Sequence, residues 1–327
     1  MSDDLTSRGQ IIAMDWLVIS GGNTASGDFA ADRHAHAIAV CAGTGESANC
    51  RRKRGCRDRA ARQGGKMADR QFCAVAREGR VLVVTINRPE VMNALHRPAH
   101  FELDEVWNGF AADPDLWVAI ITGAGDKAFS AGNDLKYQAA GNQTGHPSSG
   151  FAGLTGRFDL VKPVIAAVNG VAMGGGFEIA LACDLIIAAE NAVFALPEPR
   201  VGLAALAGGL HRLPRQIPLK QAMGMILTGR RVGAREGQAL GFVNEVVAQG
   251  EALAAAKRWA AQILELSPMS IRASKETAYR GLALADMAEA YQAQRAFPAV
   301  KALTESADRV EGPKAFAEKR KPQWQGR

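Results

Sequence analysis

From residue 72 onward the apolar positions follow two alternating periods. The run at 81–86, Val-Leu-Val-Val-Thr-Ile, is apolar and β-branched and stops at Asn87-Arg88-Pro89, which predicts a strand followed by a turn. Residues 98–111 carry Phe101, Leu103, Val106, Trp107 and Phe110 at helical spacing. Strand patterns return at 118–122, closed by Gly123-Ala124-Gly125, and at 163–168, closed by Asn169-Gly170. A helix is expected at 178–183, then strands at 185–189 and 192–195. Beyond Leu210 the pattern is mostly helical, over about 211–227, 234–240, 250–265, 268–283 and 285–308. Strands alternating with helices and followed by a helical end predict an α/β domain with a helical C-terminal part.

Residues 1–66 differ. They are rich in Gly, Ala, Ser and Arg and hold no sustained periodicity beyond 11–20. They read as a disordered extension, or as an over-extended reading frame whose true start is Met67. Asp3 and Asp4 ahead of the short apolar run argue against a secretory signal, and the further acidic residues argue against a transit peptide.

Composition changes this picture little. The chain has 327 residues, 47% hydrophobic and 22% charged, as expected of a globular enzyme-sized protein. Its net charge of +6 is concentrated in Arg51, Arg52, Lys53, Arg54, Arg57, Arg59 and Arg62. The remainder is nearly balanced, so no nucleic-acid partner is expected. No apolar run approaches the roughly 20 residues of a membrane helix, so no membrane partner is expected either. Five cysteines, four of them early, form no disulfide framework. That fits a reducing, cytoplasmic setting. His34, His36, Cys41, Cys50 and Cys56 match no zinc spacing, and no metal site is expected.

Three segments carry candidate chemistry. In the first, strand 118–122 runs through a glycine turn into Phe129-Ser130-Ala131-Gly132-Asn133-Asp134-Leu135-Lys136. Small residues there admit a ligand to the backbone, and free N–H groups can bind an oxyanion; packing alone would also explain them. In the second, Met173-Gly174-Gly175-Gly176-Phe177-Glu178 opens a helix after an apolar stretch. A helix start presents unpaired N–H groups and partial positive charge. The spacing is neither a dinucleotide fingerprint nor a phosphate loop. Glu178, among apolar neighbours, is either a desolvated acid–base group or a complement to the helix dipole. The third, Leu196-Pro197-Glu198-Pro199, fixes a carboxylate between two prolines. Glu198 is either a positioned catalyst or a turn residue.

Together, in this order over about 72–327, the segments resemble the crotonase (enoyl-CoA hydratase/isomerase) superfamily. The resemblance implies an α/β spiral of ββα units over 67–260 and a helical trimerisation region over 261–327. It implies a homotrimer or a dimer of trimers, an acyl-CoA thioester substrate, and no cofactor beyond the CoA of the substrate. It makes the amides of Asn133 and Gly175 the oxyanion hole, and Glu178 and Glu198 the acid–base pair. Asn93, Ala94, Ala131, Asp134, Leu135 and Lys136 are implied as CoA and substrate contacts. Phe316 and Lys319 match C-terminal positions that reach CoA, sometimes across a subunit boundary. Residues 141–150 are expected to cover the acyl pocket.

A narrower likeness, to the carnitinyl-CoA dehydratase branch of the family, rests on four segments. They are 150–155 (Gly-Phe-Ala-Gly-Leu-Thr), Phe158-Asp159-Leu160, Phe194-Ala195-Leu196-Pro197-Glu198, and 311–320 with the ending Trp324-Gln325-Gly326-Arg327. Asn133 departs from the aromatic residue expected there in that branch.

The implied reaction is reversible hydration of a 2-enoyl-CoA, with Glu178 activating water and Glu198 handling the Cα proton. The competing readings are a broad short-chain hydratase of fatty acid β-oxidation, a double-bond isomerase, which needs one carboxylate only, and a non-catalytic CoA- or RNA-binding relative.

Overall fold

A computed structural model describes residues 70–327. The expectations for residues 1–66 lie outside the described residues. The chain opens with β1 (Cys73–Glu78) and β2 (Val81–Ile86), an antiparallel hairpin, then α1 (Arg97–Ala112). Three units follow, each sending one strand to a large sheet and the next to a small one. They are β3 (Val118–Gly123) with β4 (Ala128–Ser130) and α2 (Leu135–Ala139); β5 (Val164–Val168) with β6 (Val171–Met173) and α3 (Gly175–Ala182); and β7 (Leu185–Ala189) with β8 (Val193–Ala195) and α4 (Gly209–Gln216). Then come α5 (Leu219–Thr228), β9 (Val232–Gly233), α6 (Ala234–Leu240), β10 (Glu245–Val247) and α7 (Ala252–Leu264). The C-terminal helices are α8 (Pro268–Gly281), α9 (Met287–Ala293), α10 (Pro298–Glu305) and α11 (Ala307–Ala317).

The large sheet has the order β1-β2-β3-β5-β7-β10, parallel from β2 onward; the small sheet has the order β4-β6-β8-β9. This is the expected repetition of ββα units with a helical end.

Both faces of the large sheet are covered, which is why its strands read as unbroken apolar runs. In β3, Val118 and Ile120 face an alanine stripe of α7 (Ala252, Ala255, Ala256, Ala260), while Ala119 and Ile121 join the core under α1 and α3. The α1 register is as expected for Leu103, Val106, Trp107 and Phe110, but Phe101 lies on the solvent side, its ring under the Arg97 guanidinium. His100 takes the buried position instead.

Two expected helices are broken, both at proline. The 211–227 stretch divides at Ile217-Pro218, and 285–308 divides at Phe297-Pro298 and again at Ser306. A residue before proline is pushed out of the α region; Phe297 has φ −66°, ψ 136°. Ser306 then caps α11 through its side chain. The strands β4, β6, β9 and β10 span two or three residues each, too short for a periodicity to announce them.

Charged side chains tie these layers together. The buried Lys162 donates from Nζ to the carbonyls of Phe110 and Asp113, each at 2.6 Å, and so closes the C-terminal end of α1. Lys275 on α8 pairs with Asp184 at 2.7 Å and donates to the Lys162 carbonyl, joining the C-terminal helices to the sheet. Replacing Lys162 by Met keeps the stem but leaves the Phe110 carbonyl without a donor and the Asp113 carbonyl with only the Leu116 N–H at 3.3 Å. The expected loss, read by urea unfolding at pH 7, is about 1–3 kcal/mol.

Candidate active site

The site forms where the first residues after β4 meet the start of α3. Leu95 makes a lone bridge to the 132–134 segment. The Leu95 N–H donates to the Gly132 carbonyl at 2.7 Å, and the Asp134 N–H donates to the Leu95 carbonyl at 2.8 Å. These bonds flank Asn133, whose own N–H meets no acceptor among the described residues. Gly175 is the first residue of α3, so its N–H has no partner within the helix. The two segments touch. A methyl group on Gly132, which has φ +89°, would lie 2.6 Å from the Met173 carbonyl oxygen and 2.8 Å from the Gly175 nitrogen.

The three glycines that open α3 each face a different wall. Gly174, at φ +52°, lies against Glu198, and a methyl there would stand 2.8 Å from its Oε1. One on Gly175 would stand 2.5 Å from the Phe151 ring, and one on Gly176 would collide with the Ser130 carbonyl. The absence of side chains lets the helix start approach all three.

Glu178 lies in the first turn of α3 and is 3% exposed. Its Oε1 accepts from the Gly209 N–H at 2.8 Å, at the start of α4. Burial pushes its carboxyl up to about 7; the charge of Glu198 adds to this, and the Gly209 and Ala207 amides and Arg212 oppose it. Glu198 begins a short 3-10 turn, Glu198–Val201, behind Pro197. Burial raises its carboxyl as well, and its Oε2 is buried without a partner. Neither glutamate pairs with a cation among the described residues.

Phe151, the wall on Gly175, sits in a tightly wound turn. Gly150, Ala152 and Gly153 all have positive φ. The Phe151 N–H donates to Thr155 Oγ1, the Ala152 N–H to His100 Nδ1, and the Trp107 indole to the Ala152 carbonyl. Burial lowers His100 to about 3, so the ring is neutral and Nδ1 is free to accept. His100 and Phe151 stack at 4.3 Å between centroids. Sequence reasoning missed this support. Its only signal was a polar residue on the apolar face of α1.

The other expected contacts divide into two groups. Asn93, Ala94, Ala131 and Asp134 lie on the two segments, 92–95 and 131–134, that backbone hydrogen bonds join on either side of Asn133. Asn93 is buried at φ +55°, donates to the Ala124 and Ala128 carbonyls, and accepts from the Arg88 N–H. Asp134 caps α2 through the Tyr137 N–H and pairs with Arg88 at 3.0 Å. Leu135 and Lys136 stand exposed on α2. Phe316 lies in the last turn of α11 and Lys319 two residues beyond the helix; α11 packs on α10, and both residues are exposed. Within this chain they are not brought to the glutamates. A separate cleft of about 540 Å³, lined by Asp184, Asn244, Lys275, Tyr279 and Leu282, lies at the far end of α3 from Gly175. Among the described residues no group of His, Cys, Asp and Glu could hold a metal, and no helix is long and apolar enough to cross a membrane.

The family profile for enoyl-CoA hydratase/isomerase matches residues 76–327. A carnitinyl-CoA dehydratase of Escherichia coli (strain K12) is 47% identical over 260 residues, spanning 77% of this chain and 98% of its own length. Among solved structures, an enoyl-CoA hydratase from Mycobacterium tuberculosis H37Rv superposes with a TM-score of 0.72 at 37% identity, over 78% of this chain and 99% of its own. A carnitinyl-CoA hydratase from Mycobacterium avium gives 0.63 at 43% identity, over 79% and 100%. With the spiral of ββα units, the glycine-opened helix and both glutamates in place, the chain belongs to the enoyl-CoA hydratase/isomerase family.

Proposed function

We propose that this protein is a hydro-lyase that adds water reversibly across the double bond of a 2-enoyl-CoA thioester. The observation that carries the reading is the pair of desolvated carboxylates, neither of them in an ion pair among the described residues, at the turn that presents the Gly175 amide. Holding two such groups costs folding free energy, which a binding module would have no reason to maintain. An isomerase would need only one.

In the forward direction the thioester oxygen is held between the Asn133 and Gly175 amides. Glu178, deprotonated, takes a proton from water as the water oxygen bonds to Cβ. Negative charge moves onto the thioester oxygen, where two fixed donors stabilise it without reorganisation. The coupled pair retains one proton, and in the reactive arrangement Glu198 carries it and delivers it to Cα as the enolate collapses. The net change is one water added, with hydroxyl at Cβ and hydrogen at Cα. The carboxylates finish with their protonation states exchanged and re-equilibrate with solvent.

The relatives named for carnitinyl-CoA favour crotonobetainyl-CoA and carnitinyl-CoA as the substrate pair. Asn93, Ala94, Ala131, Asp134, Leu135 and Lys136 line the CoA approach in this reading. Phe316 and Lys319 complete it from a neighbouring copy in a homotrimer or dimer of trimers, an arrangement supported by their exposure at and just beyond the end of α11. No cofactor beyond the CoA of the substrate is invoked, and the division into a spiral core at 67–260 and a helical region at 261–327 is part of the same proposal.

The direct test follows loss of the conjugated thioester absorbance with crotonyl-CoA and crotonobetainyl-CoA in parallel. Glu178→Gln and Glu198→Gln should each lower turnover by about 10²–10⁴-fold. Either variant retaining a tenth of wild-type turnover would falsify its assigned role. In the hydration direction, kcat/KM should fall as pH drops through about 7 and Glu178 gains its proton. Gly132→Ala should cost about 10²–10³-fold in kcat, because the methyl crowds the Gly175 nitrogen.

The Glu178 carboxyl also sets a stability signature. Its folded pKa of about 7 lies above the ordinary 4.5, so the fold favours the protonated form. The stability this gives is fully present below 4.5 and is lost as pH rises through 7. At about 1.4 kcal/mol per pKa unit, the buried charge costs ~3 kcal/mol above that range. Glu178→Gln removes the charge and can still accept from Gly209. Its unfolding midpoint in urea should therefore rise above wild type at pH 8 and match it at pH 4.5. Equal midpoints at pH 8 would show that the site bears no charge cost.

A further inference from the structure

The Asn133 N–H is the end of a chain of peptide groups that begins at a cation. Arg88 Nη1 donates to the Ala94 carbonyl at 2.5 Å. The N–H on the same peptide plane belongs to Leu95, and it donates to the Gly132 carbonyl at 2.7 Å. The N–H on that next plane belongs to Asn133. No described peptide bond is cis, and in a trans planar peptide the N–H points opposite to the carbonyl. Each bond in the series therefore fixes the direction of the donor beyond it. The order is Arg88 guanidinium, Ala94–Leu95 peptide, Gly132–Asn133 peptide, and then the space beside Gly175.

We propose that Arg88 is a positioning residue of this site, which aims and polarises the Asn133 amide through two successive peptide groups. The proposal rests on the reading of that amide as an oxyanion donor. The chemistry is cooperative: a charged donor at one end of a hydrogen-bonded series makes each following N–H a stronger donor. Arg88 is suited to this because its side chain is only 13% exposed, so water screens its charge little. Its backbone is also held. The Arg88 N–H donates to Asn93 Oδ1, and its carbonyl accepts from the Asn93 and Val91 N–H groups.

The arrangement has a counterpart at the second donor. The Gly174 carbonyl accepts from the Glu178 N–H at 3.0 Å, on the same plane as the Gly175 N–H. The α3 helix thus backs Gly175 with its own ladder, as the Arg88 series backs Asn133. The helix α2, next to Asn133, is five residues long and starts beyond it, so it supplies no equivalent.

Arg88 also pairs with Asp134, and the test must separate the series from the ion pair. Arg88→Met and Asp134→Asn both break the pair, but only the first removes the cation that starts the series; Asn can still cap α2. The probe is butyryl-CoA labelled with ¹³C at the thioester carbonyl, which binds but has no double bond to hydrate. The readout is the infrared carbonyl stretch of the bound probe, together with kcat and KM for crotonyl-CoA.

In wild type the bound carbonyl should move to lower frequency. Arg88→Met should lose at least half of that shift and about tenfold in kcat, with KM changed less than threefold. Arg88→Lys should recover part of both, and Asp134→Asn, which breaks the ion pair but leaves the cation in place, should keep the carbonyl shift. If Arg88→Met keeps the full shift, or Asp134→Asn loses as much, the series does not act. An absent shift in wild type would instead remove the oxyanion reading beneath it.

Discussion

The close approach of Gly132 to the Gly174-Gly175 turn is the constraint on which the rest of the site depends. Two backbone segments from different repeats of the spiral meet with no side chain between them, and a methyl group on Gly132 would fall inside van der Waals distance of the Met173 carbonyl and the Gly175 nitrogen. The contact sets the spacing of the Asn133 and Gly175 amides. It also brings the start of α3, and with it Glu178, beside the loop that carries Glu198. The second sheet exists to make this meeting possible: β4, β6 and β8 are each three residues long and lie side by side, so the segments that follow them emerge together.

Backbone strain is concentrated around the same point. Of the four non-glycine residues with positive φ among the described residues, Met92 and Asn93 shape the turn that leads to Leu95, and Ala152 shapes the turn that seats Phe151 on Gly175. Such conformations cost roughly 1–3 kcal/mol each and persist only where the surroundings over-determine them. Here the surroundings are explicit. Asn93 is held by three side-chain hydrogen bonds, and Ala152 by His100 on one side and Trp107 on the other. The core helix α1 thereby reaches the site through two residues that a sequence pattern assigns to packing alone.

The two glutamates show why charge is retained at a place that disfavours it. Burial raises both carboxyls, and the help to Glu178 comes first from the Gly209 N–H, with the Arg212 charge a smaller contribution and no ion pair. A salt bridge would have stabilised the charges and also pinned them in one protonation state. Leaving them unpaired lets burial raise both carboxyls above the ordinary carboxylate range, as an acid–base pair requires. The cost is met elsewhere, by the apolar layers on both faces of the large sheet.

Much of this was legible in the sequence. The strand and helix periods, the order of the three glycine-rich segments and the two glutamates were all local patterns, and each element that a long apolar period marked is present. The breaks at Pro218 and Pro298 were also written in the sequence, since proline acts on its immediate neighbour, but the surrounding helical periodicity masked them. Other features were not local. Nothing near Gly132 in the chain says that Gly175 will press against it. Likewise, His100 is one polar residue in a helix until Ala152, 52 positions away, donates to it. The sequence by itself determined which residues could serve as donors and acids. Only the tertiary structure decided which amides are left unpaired, which carboxylates lose their water and where Arg88 sends its charge, because free N–H groups, burial and hydrogen-bonded series are properties of segments brought together from distant parts of the chain.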